Sequence, residues 1–532
     1  MSSERPLPPS LSHLRTSTAE PDRVAYARDL WPRHHLAVRA GQVANHRPGR
    51  IVWPASTAEV AEIVRYARDT GTPLVPFGAG SGVCAGVLPT RDAIVLDLKR
   101  LDRIRHIETE GPWVDVEAGH MGVPFEEKLE RQGFTLGHFP SSILCSTVGG
   151  WIAARSAGQC SGRYGKIEDM VLSLECVTGE GELLEASTRT SGPSLVPLLV
   201  GSEGTLAVIT AAKLRLQPKP RVRAFAAYHF ASTEKGWDGM RRLFQAGLRP
   251  AVARLYDPFD AMLARQGSVK RAKSKGEVAP GLGGGALRTL LKSPGIFNGI
   301  IDGLGTHLLG PAQLVLVFEG DDVDAATDAA DARRMLEAEG AEYVGEGPAQ
   351  KWFLHRYSVS YRQAPVFAAG LFSDTIEVAT TWEKLGDLYD GVRKALGRHV
   401  FVMAHLSHAY PDGCCIYFSF AGSAQGRRGG AGGDAKDPGW DAACEATYDA
   451  AWRAALRAAD EAGGTIAHHH GVGRSKAPRL REEIAGGVEA FAALKRAFDP
   501  AGILNPGALV PEPKPDPYAM TLAAAKAEGG AS

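Results

Sequence analysis

Residues 75–86 read VPFGAGSGVCAG, with glycines at 78, 80, 82 and 86. Glycines clustered this tightly let backbone N–H groups converge on an anion such as a pyrophosphate. In a Rossmann unit such a loop opens a helix. Here VLPTRD and the strand AIVLDL follow, so the Rossmann reading fails on context. From this stretch alone, an anion cradle and a plain Gly-rich hairpin stand equal.

Working outward, residues 50–78 read RIVWPASTAEVAEIVRYARDTGTPLVPFG. A short strand, Arg50 to Trp53, ends at Pro54. Ser56 caps a helix whose apolar positions are Val60, Ile63, Val64 and Ala67. Gly71 stops that helix, and PLVPFG is the next strand. AIVLDL, VDVEAG and TLAVITAAKLRL (205–216) read as further strands, so Arg50 to Pro218 reads as an α/β unit.

From about Pro220 the texture changes. RAFAAYHF (223–230) and AQLVLVFEG (312–320) read as strands, and DAATDAADARRMLEAEGA (324–341) as a helix. This predicts a second, α+β domain with two irregular insertions. One, at 267–310, is first basic and Gly-rich, then apolar; the other, GSAQGRRGGAGGDAKDPG (422–439), has linker composition. CEATYDAAWRAALRAADEAGG (444–464) and EAFAALKRAF (489–498) read as helices. Between them lies IAHHHGVGRSK (466–476) with His468, His469 and His470 in an unbroken run. Such a run supplies metal ligands, acid/base groups or a solvated loop.

The chain has 532 residues, enough for two to four domains. Lys+Arg and Asp+Glu both number 60, so no global basic field attracts nucleic acid. The N-terminus has no apolar core of a signal peptide, and no apolar run reaches a membrane-spanning length. The seven cysteines show no CxxC spacing, which predicts reduced thiols in a cytoplasmic protein.

Two further motifs accompany the glycine loop. Residues 137–171, GHFPSSILCSTVGGWIAARSAGQCSGRYGKIEDMV, combine small residues with hydroxyls, as backbone wrapped round a large planar ligand would. GSEGTLAVIT (201–210) places Glu203-Gly204-Thr205 before a strand. The three motifs in this order, with the terminal FDPAGILNPG (498–507), resemble the FAD-binding domain of the vanillyl-alcohol oxidase / p-cresol methylhydroxylase class of flavoproteins. The resemblance covers roughly Arg50 to Gly507. It implies an α+β fold: a two-subdomain p-cresol methylhydroxylase-type FAD-binding domain plus an α+β cap domain with an antiparallel sheet. The implied division is 1–45, an N-terminal segment; 46–218, the FAD-binding domain; 219–440, the cap; 441–512, helices and His loop; and 513–532, a tail.

The resemblance also implies which residues contact FAD. They are Pro76, Phe77, Gly78, Ala79, Gly80, Ser81 and Gly82; Ser141, Ser142, Ile143, Leu144, Cys145, Ser146 and Thr147; Ala154, Arg155, Ser156 and Ala157; and Glu203, Gly204, Thr205, Leu206, Ala207, Val208 and Ile209. Covalent members of the class often use a His in the first glycine loop. This loop has none, so non-covalent FAD is expected.

Two branches of the class compete. D-2-hydroxy-acid dehydrogenases carry a His-x-Gly-Asp-Gly-Asn-x-His loop and a Glu-His-Gly loop that serve metal or acid/base roles. The alkyldihydroxyacetonephosphate synthases carry His-His-His-Gly-Val-Gly and Cys-Ile-Tyr-Phe instead. Here SHAYPDGCCIYFSF (407–420) keeps His408, Asp412 and Gly413, but Cys414 replaces the Asn, and only Cys415, Ile416 and Tyr417 stand where the second His is needed. His469 stands where the dehydrogenases have Glu. A divalent site would be short of ligands, and no metal is expected.

The synthase branch is therefore favoured. It implies exchange of the acyl group of acyl-dihydroxyacetone phosphate for a long-chain alcohol, without net redox change. Tyr417 falls on its active-site tyrosine, Arg254 on an arginine needed for activity, and Arg362 on the arginine that holds the substrate phosphate. Arg suits phosphate because its fork binds oxygens in pairs. His468, His469 and His470 would handle protons beside the flavin. In an extended segment, His468 and His470 would point one way and His469 the other. Departures are Ser141 in place of the synthase Asp, and YARDLWPRHH (26–35), which looks like the dehydrogenases' N-terminal segment.

A lipid-like phosphorylated substrate and a homodimer follow as expectations. Lys270, Arg271, Lys273 and Lys275, ahead of the apolar GIFNGIIDGLGTHLLG, suggest at most a peripheral contact with an anionic membrane. A flavin dehydrogenase of D-2-hydroxy acids is the alternative function.

Overall fold

The computed structural model describes residues 7–39, 41, 46–89, 92–263, 294–295, 298–299, 309–358, 363–424 and 439–510. The basic run of the first insertion, most of the second insertion and Arg362 lie outside the described residues.

Four strands open the fold: β1 (Arg15–Ser17), β2 (Arg50–Trp53), β3 (Leu74–Phe77) and β4 (Ile94–Asp97). They form a sheet in the order β1-β2-β4-β3. β4 pairs in parallel with β2 and β3, and its IVLD is buried at every position, as a covered parallel strand requires. The connecting helix, Thr57–Thr70, begins where Ser56 Oγ accepts the Glu59 N–H at 3.2 Å. It ends at Gly71, whose φ of 62° needs a residue without Cβ. Val60, Ile63, Val64 and Ala67 face Val52, Leu74 and Ile94 in one core cluster. The chain leaves β3 through the glycine loop and enters no helix before β4, as read from the sequence.

Next come β5 (Ile104–Glu108), β6 (Trp113–Glu117), the two-residue β7 (Phe134–Thr135), β8 (Val171–Thr178), β9 (Leu183–Ser187), β10 (Ala207–Arg215) and the two-residue β11 (Gln217–Pro218). The second sheet runs β5-β6-β10-β8-β9, and all its pairings are antiparallel. β7 pairs with β11. The stretch read as one α/β unit thus holds two main sheets and the two-stranded β7–β11 pair, and only the first sheet has parallel pairs. Periodicity marks a strand but not its partner.

The third sheet takes β12 (Val222–Phe230), β13 (Val252–Tyr256), β14 (Ala312–Gly320), β15 (Glu342–Tyr343), β16 (Phe372–Thr381), β17 (Phe401–Ala409) and β18 (Gly413–Gly422). Its order is β15-β12-β14-β13-β17-β18-β16, antiparallel throughout. Helices Leu385–Gly397 and Trp440–Glu461 cover one face with Leu388, Val392, Tyr448 and Trp452 in the largest core cluster. The molecule is α+β, with helices packed on mainly antiparallel sheets. All seven cysteines are free thiols. Among the described residues, no helix is long and apolar enough to cross a membrane.

Candidate active site

A cleft of about 1120 Å³ is lined from all three sheets and by the His loop. The glycine loop forms one wall, with Pro76 through Gly82 all lining it. Its glycines are there for close approach. A Cβ on Gly78 would lie 2.4 Å from Thr147 Oγ1, so any side chain there separates the first and second motifs. Asp29 holds the loop from the N-terminal segment, its carboxylate accepting the Gly86 N–H at 3.2 Å.

The second and third motifs contribute Ser141, Ser142, Cys145, Thr147, Ala154, Ser156, Ala157, Glu203, Gly204, Ala207 and Ile209. The remaining expected contacts do not line the cleft. Ile143, Leu206 and Val208 are buried in cores, and Leu144 is exposed. In β10, alternation turns Ala207 and Ile209 inward and Val208 away. Ser146 accepts from Trp151 Nε1 at 2.7 Å, Thr205 donates to Ser202 O at 2.7 Å, and Arg155 pairs with Glu168 at 2.5 Å.

On the opposite wall Tyr417 stands among imidazoles. Its Oη lies 2.9 Å from His408 Nε2 and 2.7 Å from His469 Nε2. β17 and β18 pair His405 with Tyr417, and a bulge between Ser407 and Ala409 carries His408 at φ 54°. Strict alternation would put His405 and His408 on opposite faces; the bulge turns both toward the Tyr417 ring. The His405 ring stacks on it at 4.7 Å between centroids and 19° between planes.

Arg254 Nη2 donates to His405 Nε2 at 2.6 Å. A guanidinium is always protonated, so this nitrogen of His405 accepts and Nδ1–H donates to Asp260 Oδ2 at 3.2 Å. Arg254 and Arg356 are the arginine and lysine side chains lining the cleft among the described residues.

The His run is not extended. The backbone N–H groups of His468, His469 and His470 converge on the buried carboxylate of Glu377, at 2.7, 3.2 and 2.9 Å. The expected alternation of these side chains is therefore wrong: the chain bends round one anion, and His468 Nδ1 meets His469 Nδ1 at 3.0 Å. Tyr417, Arg254, His469 and His470 line the cleft, whereas His468 does not. Lys476, fully buried, sits 3.8 Å from Glu377 Oε1. Glu203 anchors the far side of the loop, accepting the Val472 and Gly473 N–H groups at 2.6 and 2.8 Å.

Burial sets the protonation states. It pushes Tyr417 well above the usual phenol range and holds His405, His408 and His469 well below the usual imidazole value. His470 is lowered to about 4, again chiefly by burial. Burial pushes Glu377 upward, but the Lys476 charge and the histidine backbone N–H donors outweigh it and hold the carboxyl below its usual value. Glu203 is raised to about 7 by burial, with its two N–H donors opposing.

Glu377, Cys415, His468 and His469 offer ligand atoms within 4.8 Å of one another. The carboxylate is already taken by three N–H donors and Lys476, and we assign no metal to it.

The sequence motifs did not point to Glu377, Lys476, His405, Asp260, Ser161 or Arg356. Lys476 and Ser161 lie inside the stretches 466–476 and 137–171 but carried no mark of their partners, and Glu377 and Asp260 sit far along the chain from the groups they hold. The signal available for Glu377 was weak: a carboxylate flanked by Ile376 and Val378 in SDTIEVATT, a segment that also carries Asp374 and four hydroxyl residues.

A family profile described as "FAD linked oxidases, C-terminal domain" matches residues 219–509, and one described as "FAD binding domain" matches residues 48–187. The chain belongs to the FAD-linked oxidases. FAD is its cofactor, and the cleft fits it: the Gly78 backbone and the Thr147 side chain in close approach, on a cavity large enough for a dinucleotide and a substrate. The chain is 29% identical over 501 residues to alkyldihydroxyacetonephosphate synthase of Trypanosoma brucei brucei, covering 91% of this chain and 76% of that one. It is 27% identical over 484 residues to D-lactate dehydrogenase of Archaeoglobus fulgidus, covering 86% and 91%. A solved alkyldihydroxyacetonephosphate synthase superposes with a TM-score of 0.71 at 24% identity, covering 92% of this FAD-linked oxidase and 82% of the other chain. That last likeness is one of fold.

Proposed function

We propose that this FAD-linked oxidase is an alkyldihydroxyacetonephosphate synthase, exchanging the acyl group of acyl-dihydroxyacetone phosphate for a long-chain alcohol. One observation carries the choice over a hydroxy-acid dehydrogenase. The cap side of the cleft has an apolar wall of Phe259, Leu263, Val366, Phe367, Phe401 and Met403. A hydrocarbon chain buries against such a wall at about 25 cal/mol per Å², whereas lactate or glycolate has nothing to place there. The similarity to the trypanosome synthase supports the same reading.

Bound FAD supplies a ring that takes up and returns the electron pair of the reacting carbon. The glycine loop and the second motif would hold it without a covalent protein bond. The chain's own groups do the rest. Tyr417 meets the proton of the reacting group, with neutral His408 and His469 ready to receive it. Arg254, fixed by His405 and Asp260, presents a permanent positive charge beside the Tyr417 ring. Arg362 holds the phosphate, and His470 shapes the pocket next to Tyr417. The phosphorylated lipid-like substrate belongs to the same proposal. So do a homodimer and a peripheral membrane contact through the 267–310 insertion, which rest on sequence alone.

The test is incubation of FAD-loaded protein with an acyl-dihydroxyacetone phosphate and a labelled long-chain alcohol. The expected product is the labelled ether with release of one fatty acid. Recovery of the alcohol unchanged, with the acyl ester intact, would overturn the reading.

A further inference from the structure

Tyr417 is one link in a longer chain of hydrogen bonds. In one direction Tyr417 Oη meets His469 Nε2 at 2.7 Å, and His469 Nδ1 meets His468 Nδ1 at 3.0 Å. In the other, His408 Nε2 meets Tyr417 Oη at 2.9 Å, His408 Nδ1 meets Ser161 Oγ at 2.9 Å, and Ser161 Oγ meets Tyr410 Oη at 3.1 Å. The middle members, His408, Tyr417 and His469, line the cleft; the end members, His468 and Tyr410, do not. Both end members are half-buried, and their rings lie 5.6 Å apart. The chain therefore leaves the cleft in two arms whose ends come together. Lys166 lies there, 6.0 Å from the Tyr410 ring centre and 2.6 Å from Glu168.

Every member is both a donor and an acceptor when neutral, so the chain has two self-consistent polarities. In one, each proton points from Tyr410 toward His468: Tyr410 to Ser161, Ser161 to His408, His408 Nε2–H to Tyr417, Tyr417 to His469, and His469 Nδ1–H to His468. In the other, every proton points back. Burial keeps the imidazoles neutral and the phenols protonated, which is the state both polarities require.

We propose that Tyr417, His469 and His468 form a proton wire that carries protons between the cleft and solvent, with His468 as its outer terminal and the His408–Ser161–Tyr410 arm setting its polarity. This rests on the synthase reading for the identity of the proton donor. The shift balances as follows. The bound alcohol gives its proton to Tyr417 Oη. The Tyr417 proton passes to His469 Nε2, the His469 Nδ1 proton passes to His468 Nδ1, and His468 Nε2 releases its own proton to water. One proton enters, one leaves, and every protein group ends neutral. The reverse shift carries one proton in and restores the starting tautomers, so one chain serves deprotonation and reprotonation alike.

Two measurements test it. First, His468→Gln in the FAD-loaded enzyme lowers kcat about 10- to 100-fold with KM and flavin absorbance unchanged, and added imidazole restores the rate. An unchanged kcat, or a loss that imidazole does not restore, overturns the role of His468. Second, Ser161→Ala removes the partner of His408 Nδ1, so a proton there would be buried without an acceptor. His408 then keeps its proton on Nε2, and the polarity passes along the chain: nitrogen-15 NMR of labelled histidines shows Nδ1–H at His469 and Nε2–H at His468. An Nε2–H tautomer at His469 in this variant overturns the wire. The NMR reading needs no turnover. If the wild type makes no ether, the synthase reading falls while the wire is still decided by the tautomers.

Discussion

At the scale of single residues, the site depends on two carboxylates that the motifs did not mark. Glu377 holds the three histidine N–H groups and pairs with Lys476 in the interior. Removing the anion strands a buried ammonium, so Glu377→Gln should cost about 3–5 kcal/mol of stability. Glu377→Gln combined with Lys476→Met should recover most of it; urea unfolding of the two variants checks this. Tyr417→Phe should lower kcat about 100-fold while flavin absorbance stays, because only the proton-carrying oxygen is lost. That Tyr417 and the His run share one site was legible, since Tyr417 Oη lies 2.7 Å from His469 Nε2; their proton handling is part of the proposed function. Their partners were not legible. Glu377 lies 91 residues before His468, and Asp260 lies 145 before His405, distances over which sequence pattern carries no pairing information. The alternation expected for the His run failed for the same reason, since it is the remote Glu377 that bends the loop.

At the scale of elements, the glycine loop was read well because its logic is local. Ser56, the apolar stripe and Gly71 define the preceding helix, and the strand after the loop excludes a Rossmann turn. The bulge at His408 was not legible, because one inserted residue leaves no trace in composition. Nor was it clear which of the residues from 141 to 209 reach the cleft; strand alternation and helix capping decide that. The tight contact of Gly78 with Thr147 yields a prediction for the loop as a unit. Gly78→Ala places a Cβ 2.4 Å from Thr147 Oγ1, which caps the helix Val148–Ala153 through the Gly150 N–H at 3.2 Å. The variant should fold, yet purify with little or no bound FAD, as the ratio of visible to ultraviolet absorbance will report. Full flavin content would show that the two motifs do not meet round the cofactor.

At the scale of the whole molecule, buried ionisable groups make stability depend on pH in a definite sense. Glu126 is raised from 4.5 to about 7, chiefly by burial. Between those values the folded state holds a proton that the unfolded chain has lost, so this group's contribution falls as pH rises. Glu126→Gln removes that loss, and from pH 5 to pH 8 its stability should gain about 2 kcal/mol relative to wild type. Buried histidines act in the opposite sense. His138 is lowered to about 3 and His470 to about 4, so the unfolded state binds more protons below 6.5 and stability falls with acidification through that range. Thermal unfolding across pH 4 to 8 checks both slopes. The α+β architecture and the flavin followed from three ordered motifs, whereas the split into three sheets and the apolar wall on the cap depend on long-range pairing. The central claim is that this flavin site moves an alkyl group and does not oxidise a hydroxy acid. The most direct measurement is anaerobic mixing of the purified yellow protein with D-lactate, glycolate or D-2-hydroxyglutarate while the visible flavin band is recorded. The band is predicted to persist with all three; rapid bleaching by any one of them would contradict the account.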